Sequence, residues 1–158
     1  MDDGELARYA GRLVLHVETT GADVTPQPEL QFARRQGLAR VEVRAELPGA
    51  GLPRQSRIEL REIWRRGDRN DWELDGYAYD LIDHERRRRR AFHLHDRDFF
   101  IRRYRTVVHE HCEEEIGSAD CAHFAGTPIR DGHDAIDRLL DVWTDDAALG
   151  CADLECLD

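Results

Sequence analysis

Histidine, arginine and cysteine, the residue types best suited to chemistry, are concentrated in one stretch of the chain, from Tyr77 to His123. This stretch holds six of the eight histidines, two of the four cysteines and nine arginines. Histidine changes charge near neutrality and serves as an acid–base catalyst or as a metal ligand, while arginine binds phosphate through its planar guanidinium group. We therefore expect any chemical activity of the chain to lie here.

Two His-x-His pairs lie in this stretch, His93/His95 and His109/His111. In a β-strand, residues two apart point to the same side about 7 Å from one another, which is enough to straddle a scissile phosphate. If the two strands are neighbours, the four histidines form a candidate acid–base site that cleaves a phosphodiester without a metal. The alternative is that they are only surface residues on the solvent-facing side of a sheet.

The segment between His84 and Arg105 is strongly basic. It carries nine arginines against three acids in a chain whose net charge is -10. Because guanidinium groups bind phosphate oxygens in pairs, we predict that Arg90, Arg97 and Arg103 bind the substrate phosphate. For the run of five arginines at 86–90 alone, a charged turn that pairs with surface acids is the favoured reading.

A metal site competes for some of the same residues. His109, His111, Cys112, Cys121 and His123 supply five nitrogen and sulfur donors within fifteen residues. Zinc takes four such ligands in a tetrahedron and can fasten a loop onto a sheet. The predicted zinc ligands are His109, Cys112, Cys121 and His123. The set lacks a Cys-x-x-Cys knuckle. Reduced, partly buried cysteines with no metal remain the alternative.

The composition indicates a single folded domain over residues 1–158. The hydrophobic fraction is 41%, and all 23 basic residues are arginine, since the chain contains no lysine. An acidic chain without lysine fits a halophilic protein in concentrated intracellular salt, which we favour, or an arginine-biased genome. No charged-then-apolar leader opens the sequence, and no apolar run approaches the length of a membrane span. We therefore expect a cytoplasmic protein with no membrane contact, in which cysteines are free or metal-bound.

Hydrophobic periodicity predicts an α+β fold, an antiparallel sheet with the carboxy-terminal helix packed on one face. The first ten residues are expected to be a frayed end or a short helix, and residues 19–28 and 113–128 to be loops. A glycine at position 76 marks a change of facing and predicts a β-bulge. The predicted strands are residues 12–19, 41–47, 57–65, 72–82, 88–95 and a strand that ends near His111, and the predicted helices are residues 29–37 and 132–145, the latter capped by Asp131.

The order of several short motifs is similar to that of one known family. A Tyr-x-Tyr strand at Tyr77 and Tyr79 precedes an arginine-bearing strand that runs to an aspartate at 96, and His109-Glu110-His111 and an apolar-patterned terminal helix follow. This layout resembles the small TumE-like toxin components of toxin–antitoxin systems over about residues 57–143. The chain departs from that pattern at residues 96–99, where Asp-Arg-Asp-Phe stands in place of an Asp-Asn step and paired histidines, and it adds the cysteines.

The resemblance implies a growth-inhibiting toxin that acts on RNA and is neutralised by a partner antitoxin. The positions that it carries over are Tyr77, Tyr79, His109 and His111, with the tyrosines as substrate contacts. The favoured hypothesis is thus a metal-independent ribonuclease, whose toxicity His111→Ala should relieve. The alternatives are a non-enzymatic module, stabilised by zinc, that binds another protein through its acidic surface, and a plain soluble domain.

Overall fold

The fold was analysed in a computed structural model, which describes residues 1–19, 23–24, 29–33, 36–47, 56–94, 102, 107–113, 115–117 and 129–144. An antiparallel sheet is covered on one face by two helices that touch each other, so the predicted α+β class and the docked carboxy-terminal helix are confirmed. The elements in chain order are α1 Asp3–Thr19, β1 Asp23–Val24, β2 Glu29–Ala33, β3 Leu38–Leu47, β4 Ser56–Arg66, β5 Trp72–Asp83, β6 Arg88–Leu94, β7 Val108–Glu113 and α2 Gly132–Thr144.

The strands from β3 to β7 lie side by side in the order of the sequence. Each is antiparallel to the one before it, while β1 and β2 both pair with the outer edge of β3. The predicted strands at 41–47, 57–65, 72–82 and 88–95 are confirmed, with small changes at their ends. The predicted strand near His111 is confirmed as well, and it extends two residues further.

Alternation along the strands divides the sheet into two faces. We call the side that packs against the helices the helix face and the other side the open face. On β3, Val41 and Val43 are buried on the helix face, whereas Arg40 and Arg44 are exposed on the open face. Odd- and even-numbered residues of a strand therefore lie in different environments, one set in the hydrophobic core and the other on the polar side of the sheet.

The amino-terminal segment is a helix, and the predicted strand at residues 12–19 is wrong. The buried residues of α1 recur every three or four positions and form one apolar stripe toward the sheet. A reciprocal capping box starts the helix: the N–H of Glu5 donates to Asp2 Oδ1 at 2.8 Å, and the N–H of Asp2 donates to Glu5 Oε2 at 2.7 Å. These contacts satisfy helix donors in the first ten residues, which were predicted to be a frayed end or a short helix and are helical from Asp3.

Residues 29–37 were predicted to be a helix, and that prediction is also wrong. Residues Glu29–Ala33 form β2, whose side chains alternate in exposure and pair with β3 from Glu42 to Leu38. Cross-strand pairing along an available sheet edge outweighs the weak helical preference of so short a segment. The loop predicted at 19–28 also includes β1, and the remainder of that loop beyond Thr19 lies outside the described residues.

A β-bulge interrupts the pairing of β4 with β5, as predicted from Gly76. Ile63 pairs with Gly76 and Trp64 pairs with Leu74, so Asp75 is the additional residue. The backbone of Leu94 approaches Gly76 closely, and a Cβ at position 76 would lie 3.0 Å from the carbonyl oxygen of Leu94, so a glycine is favoured here. The bulge brings Tyr77 and the odd-numbered residues after it onto the helix face.

A buried carboxylate joins the sheet to both helices. Glu62 is fully buried, and it accepts hydrogen bonds from the hydroxyls of Tyr9 and Tyr79 at 2.6 and 2.7 Å and from the indole of Trp64 at 2.8 Å. The hydroxyl of Tyr9 in turn accepts the backbone N–H of Gly132 at 2.9 Å. Burial raises the pKa of Glu62 and outweighs the opposite effect of its three donors.

The helix α2 begins as predicted. Asp131 caps it, since its Oδ1 accepts the backbone N–H groups of His133 and Asp134 at 3.0 and 3.1 Å. The helix is described to Thr144, and the predicted last residue, Asp145, lies outside the described residues. Neither α1 nor α2, the helices of the part of the chain that the structure describes, is long and apolar enough to cross a bilayer.

The two helices meet through a pair of histidines. The Nδ1 atoms of His16 on α1 and His133 on α2 are 2.9 Å apart, and His16 Nε2 lies 2.8 Å from Asp137 Oδ1. Burial lowers the pKa of His133 below its usual 6.5, and the nearby His16 and Arg12 lower it further against the opposite effect of Asp131 and Asp137.

Acidification is therefore expected to destabilise the contact between the helices. His133 binds a proton more readily in the unfolded chain than in the folded protein. Neutral His133 therefore makes its full contribution to the free energy of unfolding above pH 6.5, and this contribution is lost as the pH falls through the lower folded pKa. Urea unfolding from about pH 7 to about pH 5 should show a smaller loss of stability in His133→Gln than in the wild type. His84→Gln, on an exposed turn, is the control. Equal losses in all three proteins would contradict this expectation.

Candidate metal centre

Three histidines come together on the open face through the pairing of β6 with β7. His93 on β6 lies directly opposite His109 on β7. His111 follows His109 on β7 and lies on the same side of the sheet. The predicted proximity of the residues near 93 and near 109–111 is thus present for these three. Residues opposite one another on antiparallel strands bring their Cβ atoms within about 5 Å, which is close enough for imidazoles to converge.

The ring nitrogens of the three histidines converge on one point. One nitrogen from each ring lies within 4.8 Å of those of the other two. The Nε2 atoms of His109 and His111 are 3.0 Å apart, and the ring of His93 stands edge-on to both, with centroids 5.3 and 4.9 Å away. Among the described residues, this is the group whose donor atoms are suitably placed to hold a metal ion.

The three rings differ in their access to solvent. His109 is fully buried, with 0% of its surface exposed, whereas the side chain of His93 is 14% exposed and His111 is partly buried. A group that is wholly buried cannot exchange protons directly with a substrate. This arrangement is suited to an ion that has His109 on its buried side and lies near solvent on the side of His93 and His111.

A network of ion pairs lies beside the histidines. It crosses four strands of the open face, and its central member is Asp80, whose carboxylate is 1% exposed. Asp80 Oδ1 accepts the Nε–H of Arg89 at 2.9 Å and lies 3.7 Å from His93 Nε2, and Arg89 also pairs with Glu113. On the far side, Asp80 Oδ2 lies 3.4 Å from Arg61.

This network keeps Asp80 ionised. Burial alone would raise the pKa of Asp80, but the interaction with His93 and the charge of Arg89 outweigh it and bring the pKa down to about 2. The same carboxylates raise the pKa of Arg89, although its burial acts in the opposite direction. A fixed negative charge therefore stands behind His93 at neutral pH.

Several residues predicted to contact the substrate lie on the opposite side of the sheet. Arg90 points to the helix face, where its guanidinium pairs with the carboxylate of Glu110 at 2.9 Å and is 8% exposed. Tyr77 and Tyr79 stack on one another in the hydrophobic core, with their rings 4.4 Å apart. The sequence reading of a shared site fails for these three, because strand parity places them on the other face from His93.

Cys112, one of the predicted zinc ligands, is not available to a metal ion in this structure. Cys112 also lies on the helix face, opposite Arg90, and its sulfur is part of a disulfide whose other half lies outside the described residues. A disulfide sulfur carries no thiolate to bind zinc. The prediction that Cys112 is free or metal-bound is therefore wrong for this structure. Of the two predicted metal ligands among the described residues, His109 and Cys112, only His109 belongs to the cluster.

Other predicted site residues cannot be placed. His95, Arg97 and Arg103 from the ribonuclease hypothesis, and Cys121 and His123 from the zinc hypothesis, lie outside the described residues. So does most of the loop predicted at 113–128, although residues 115–117 form a turn, and the N–H of Gly117 donates to Glu113 Oε2 at 2.7 Å.

The arginine run at 86–90 is largely paired with acids. Arg86 bonds Asp83 at 3.0 Å and the backbone carbonyl of Trp143 at 3.1 Å, and Arg87 lies 3.8 Å from Glu115. Arg89 and Arg90 pair with acids on opposite faces of the sheet, as described above. These contacts agree with the reading of the run as a charged turn paired with acids.

Sequence reasoning did not identify Asp80 as part of the site. The signal was available in the change of parity at Gly76, which turns Tyr79 and Leu81 toward the helices and Asp80 toward the open face. Its position beside His93 depends on the register of β5 with β6, in which Asp80 pairs with Ala91. A hairpin register of that kind can be deduced only once the turn is known.

In comparisons with family models, with curated proteins and with solved structures, the chain matched none. The resemblance to TumE-like toxins stays a prediction that rests on the short motifs alone.

Proposed function

We propose that the protein binds one divalent transition-metal ion, zinc, through His93, His109 and His111, and that it uses the ion in a hydrolytic reaction. The observation that carries this proposal is the convergence of three ring nitrogens within 4.8 Å of one another. Imidazole suits zinc, and zinc binds it at about 2.0–2.1 Å, which sets the ligand nitrogens of a tetrahedral site about 3.4 Å apart. The observed nitrogen spacings, 3.0 Å for one pair and at most 4.8 Å for the others, bracket that value.

The geometry favours metal binding over acid–base catalysis by the same histidines. An acid–base pair must reach the substrate, yet His109 is fully buried between its neighbours. Its Nε2 lies 3.0 Å from that of His111, so protonation of both rings would place two positive charges in contact. A shared metal ion removes that conflict, because both nitrogens then present lone pairs to one cation.

The described residues supply three histidine ligands, and a set of three supports a catalytic role for the ion. Structural zinc sites are closed by four protein ligands, whereas catalytic sites have three and leave a fourth position for water, which the ion activates near neutral pH. His93 and His111 retain partial exposure, which provides the side of approach. The chain's own contribution is to hold the three rings and to exclude water from the side of His109.

Zinc titration of the purified protein tests this proposal. We expect one zinc ion per chain by elemental analysis, and hydrolysis of an activated ester or phosphodiester that a chelator abolishes and added zinc restores. The probe is zinc alone, added after removal of any metal carried through purification. Binding well below one ion per chain would reject the centre, and stoichiometric binding without chelator-sensitive hydrolysis would reject the catalytic role.

The ribonuclease hypothesis has less support from the described residues. Of its predicted groups, Arg90, Tyr77 and Tyr79 lie on the helix face and cannot hold a phosphate beside the histidines. The toxin function, the RNA substrate and the antitoxin partner remain predictions. The growth assay with His111→Ala still tests them, and toxicity that survives this substitution would count against them.

A further inference from the structure

We propose that Asp80 is a positioning residue of this centre, which holds the ring of His93 in the orientation that directs one nitrogen at the ion. The inference deepens the proposed function and rests on it. It concerns a residue that contacts a ligand of the ion and is not a ligand itself, since the converging donor atoms belong to the three histidines.

The placement of Asp80 follows from the sheet. Asp80 and His93 lie on adjacent antiparallel strands, on the same face and diagonally across from one another, because Asp80 pairs with Ala91 and His93 pairs with Ala78. The carboxylate oxygen Oδ1 lies 3.7 Å from His93 Nε2. At 1% exposure, the carboxylate cannot swing out to solvent, so its place beside the ring is fixed by packing.

Two arginines hold the carboxylate from its other sides. Arg89 donates its Nε–H to Oδ1 at 2.9 Å, and the guanidinium of Arg61 approaches Oδ2 at 3.4 Å. Arg89 is itself anchored by Glu113 at the end of β7. Arg61 on β4 and Arg89 on β6 therefore hold Asp80 from the two strands next to β5.

A fixed carboxylate beside a metal-binding histidine has a known physical effect. When such a carboxylate accepts the N–H of one ring nitrogen, the tautomer is set and the other nitrogen keeps its lone pair for the ion. It also raises the basicity of that nitrogen, which strengthens the bond to the metal. Asp80 is placed for this role by the 3.7 Å between its Oδ1 and His93 Nε2. These two atoms need to approach by about 0.5 Å to form that hydrogen bond.

The same contacts would also serve a purely structural purpose, because Asp80 neutralises two arginines. A test must therefore measure a property of the metal site as well as stability. Cobalt(II) provides one, since its visible absorption spectrum reports the arrangement of the ligands around the ion. A residue that only stabilises the sheet would leave the spectrum of the folded, loaded protein unchanged.

The experiment compares Asp80→Asn with the wild type. We expect the affinity for zinc, measured by competition with a chromophoric chelator, to fall by about 10- to 100-fold, with one ion still bound per chain. We also expect the cobalt spectrum to shift, and Asp80→Glu to recover part of the lost affinity because it restores a carboxylate. Circular dichroism of the metal-free proteins checks that the variants are folded. If Asp80→Asn does not fold, Asp80→Glu takes its place in the comparison of affinity and spectrum.

The matched control is Glu59→Gln, which removes a carboxylate whose ion pairs are with Arg57 and Arg61 on its own strand, one strand farther from His93. It should bind zinc as the wild type does. Equal affinity and an unchanged spectrum in Asp80→Asn would overturn the positioning role, as would an equal loss in Glu59→Gln. If the wild type itself binds no zinc, the proposed function fails and this inference fails with it. Wild-type binding with an unaffected Asp80→Asn rejects the inference alone.

Discussion

Replacement of His109 by alanine is expected to lower the affinity for zinc by more than about 100-fold, a larger loss than removal of a supporting contact causes. His109 is the fully buried member of the cluster, opposite His93 and 3.0 Å from His111. Its loss leaves two donors, and two imidazoles cannot enclose an ion on three sides. Isothermal titration with zinc and elemental analysis measure the change.

The control for this experiment is His84→Ala. His84 is an exposed histidine on the turn before β6, where it contacts Arg57 at 3.1 Å, and it lies outside the cluster. Its replacement should leave zinc binding at the wild-type level. If His109→Ala binds one zinc ion as tightly as the wild type, the three histidines are not the metal site and the proposed function is wrong. A shared loss in both variants would indicate adventitious binding to histidines.

Replacement of Glu62 by leucine is expected to lower the free energy of unfolding by about 3–5 kcal/mol. The carboxylate accepts three buried hydrogen bonds, from Tyr9, Trp64 and Tyr79, and leucine would leave the three donors without that acceptor. The loss is large compared with the total stability of a domain of this size, which is about 5–15 kcal/mol. Urea unfolding followed by tryptophan fluorescence measures it.

Two further variants separate the hydrogen bonds from the volume of the side chain. Glu62→Gln keeps the shape and one acceptor oxygen, so it should lose less stability than Glu62→Leu. Tyr79→Phe removes a single donor and should cost about 1 kcal/mol. Glu59→Gln on the open face should cost little, because its partners Arg57 and Arg61 are 42% exposed and ion pairs with exposed partners contribute little. A Glu62→Leu variant as stable as the wild type would show that the cluster does not hold the helices to the sheet.

The sequence predicts the sheet better than it predicts the amino-terminal third. The strands from β3 to β6 have clear alternation over seven or more residues and turn residues between them, so local pattern and tertiary pairing agree. In α1, the run from Arg12 to Thr19 contains leucines and valines that suit a strand equally well. Only the longer stripe that starts at Leu6 reveals the helix, and it becomes clear when the whole segment is taken together.

The candidate site could be predicted in part for a similar reason. The His-x-His spacing identifies two residues on one face, but the sequence does not state which face, nor which strand lies next to it. Arg90 and His93 differ by an odd number of positions in one strand, so they cannot share a side. That constraint could have been applied from the sequence alone. The contact of Asp80 with His93 depends on the register between two strands and could not be deduced from local pattern.

The single additional residue at the bulge of β5 fixes the histidine site as well as the core. Before Asp75, the even-numbered residues Trp72 and Leu74 face the helices, and after it the odd-numbered ones do. If the strand paired regularly through Asp75 and had no bulge, its two halves would face opposite sides, and either Tyr79 or Trp72 would be turned away from the core. The aspartate beside His93 would then be directed into the apolar interior, so the chemistry of the open face depends on a one-residue offset at the far end of the strand.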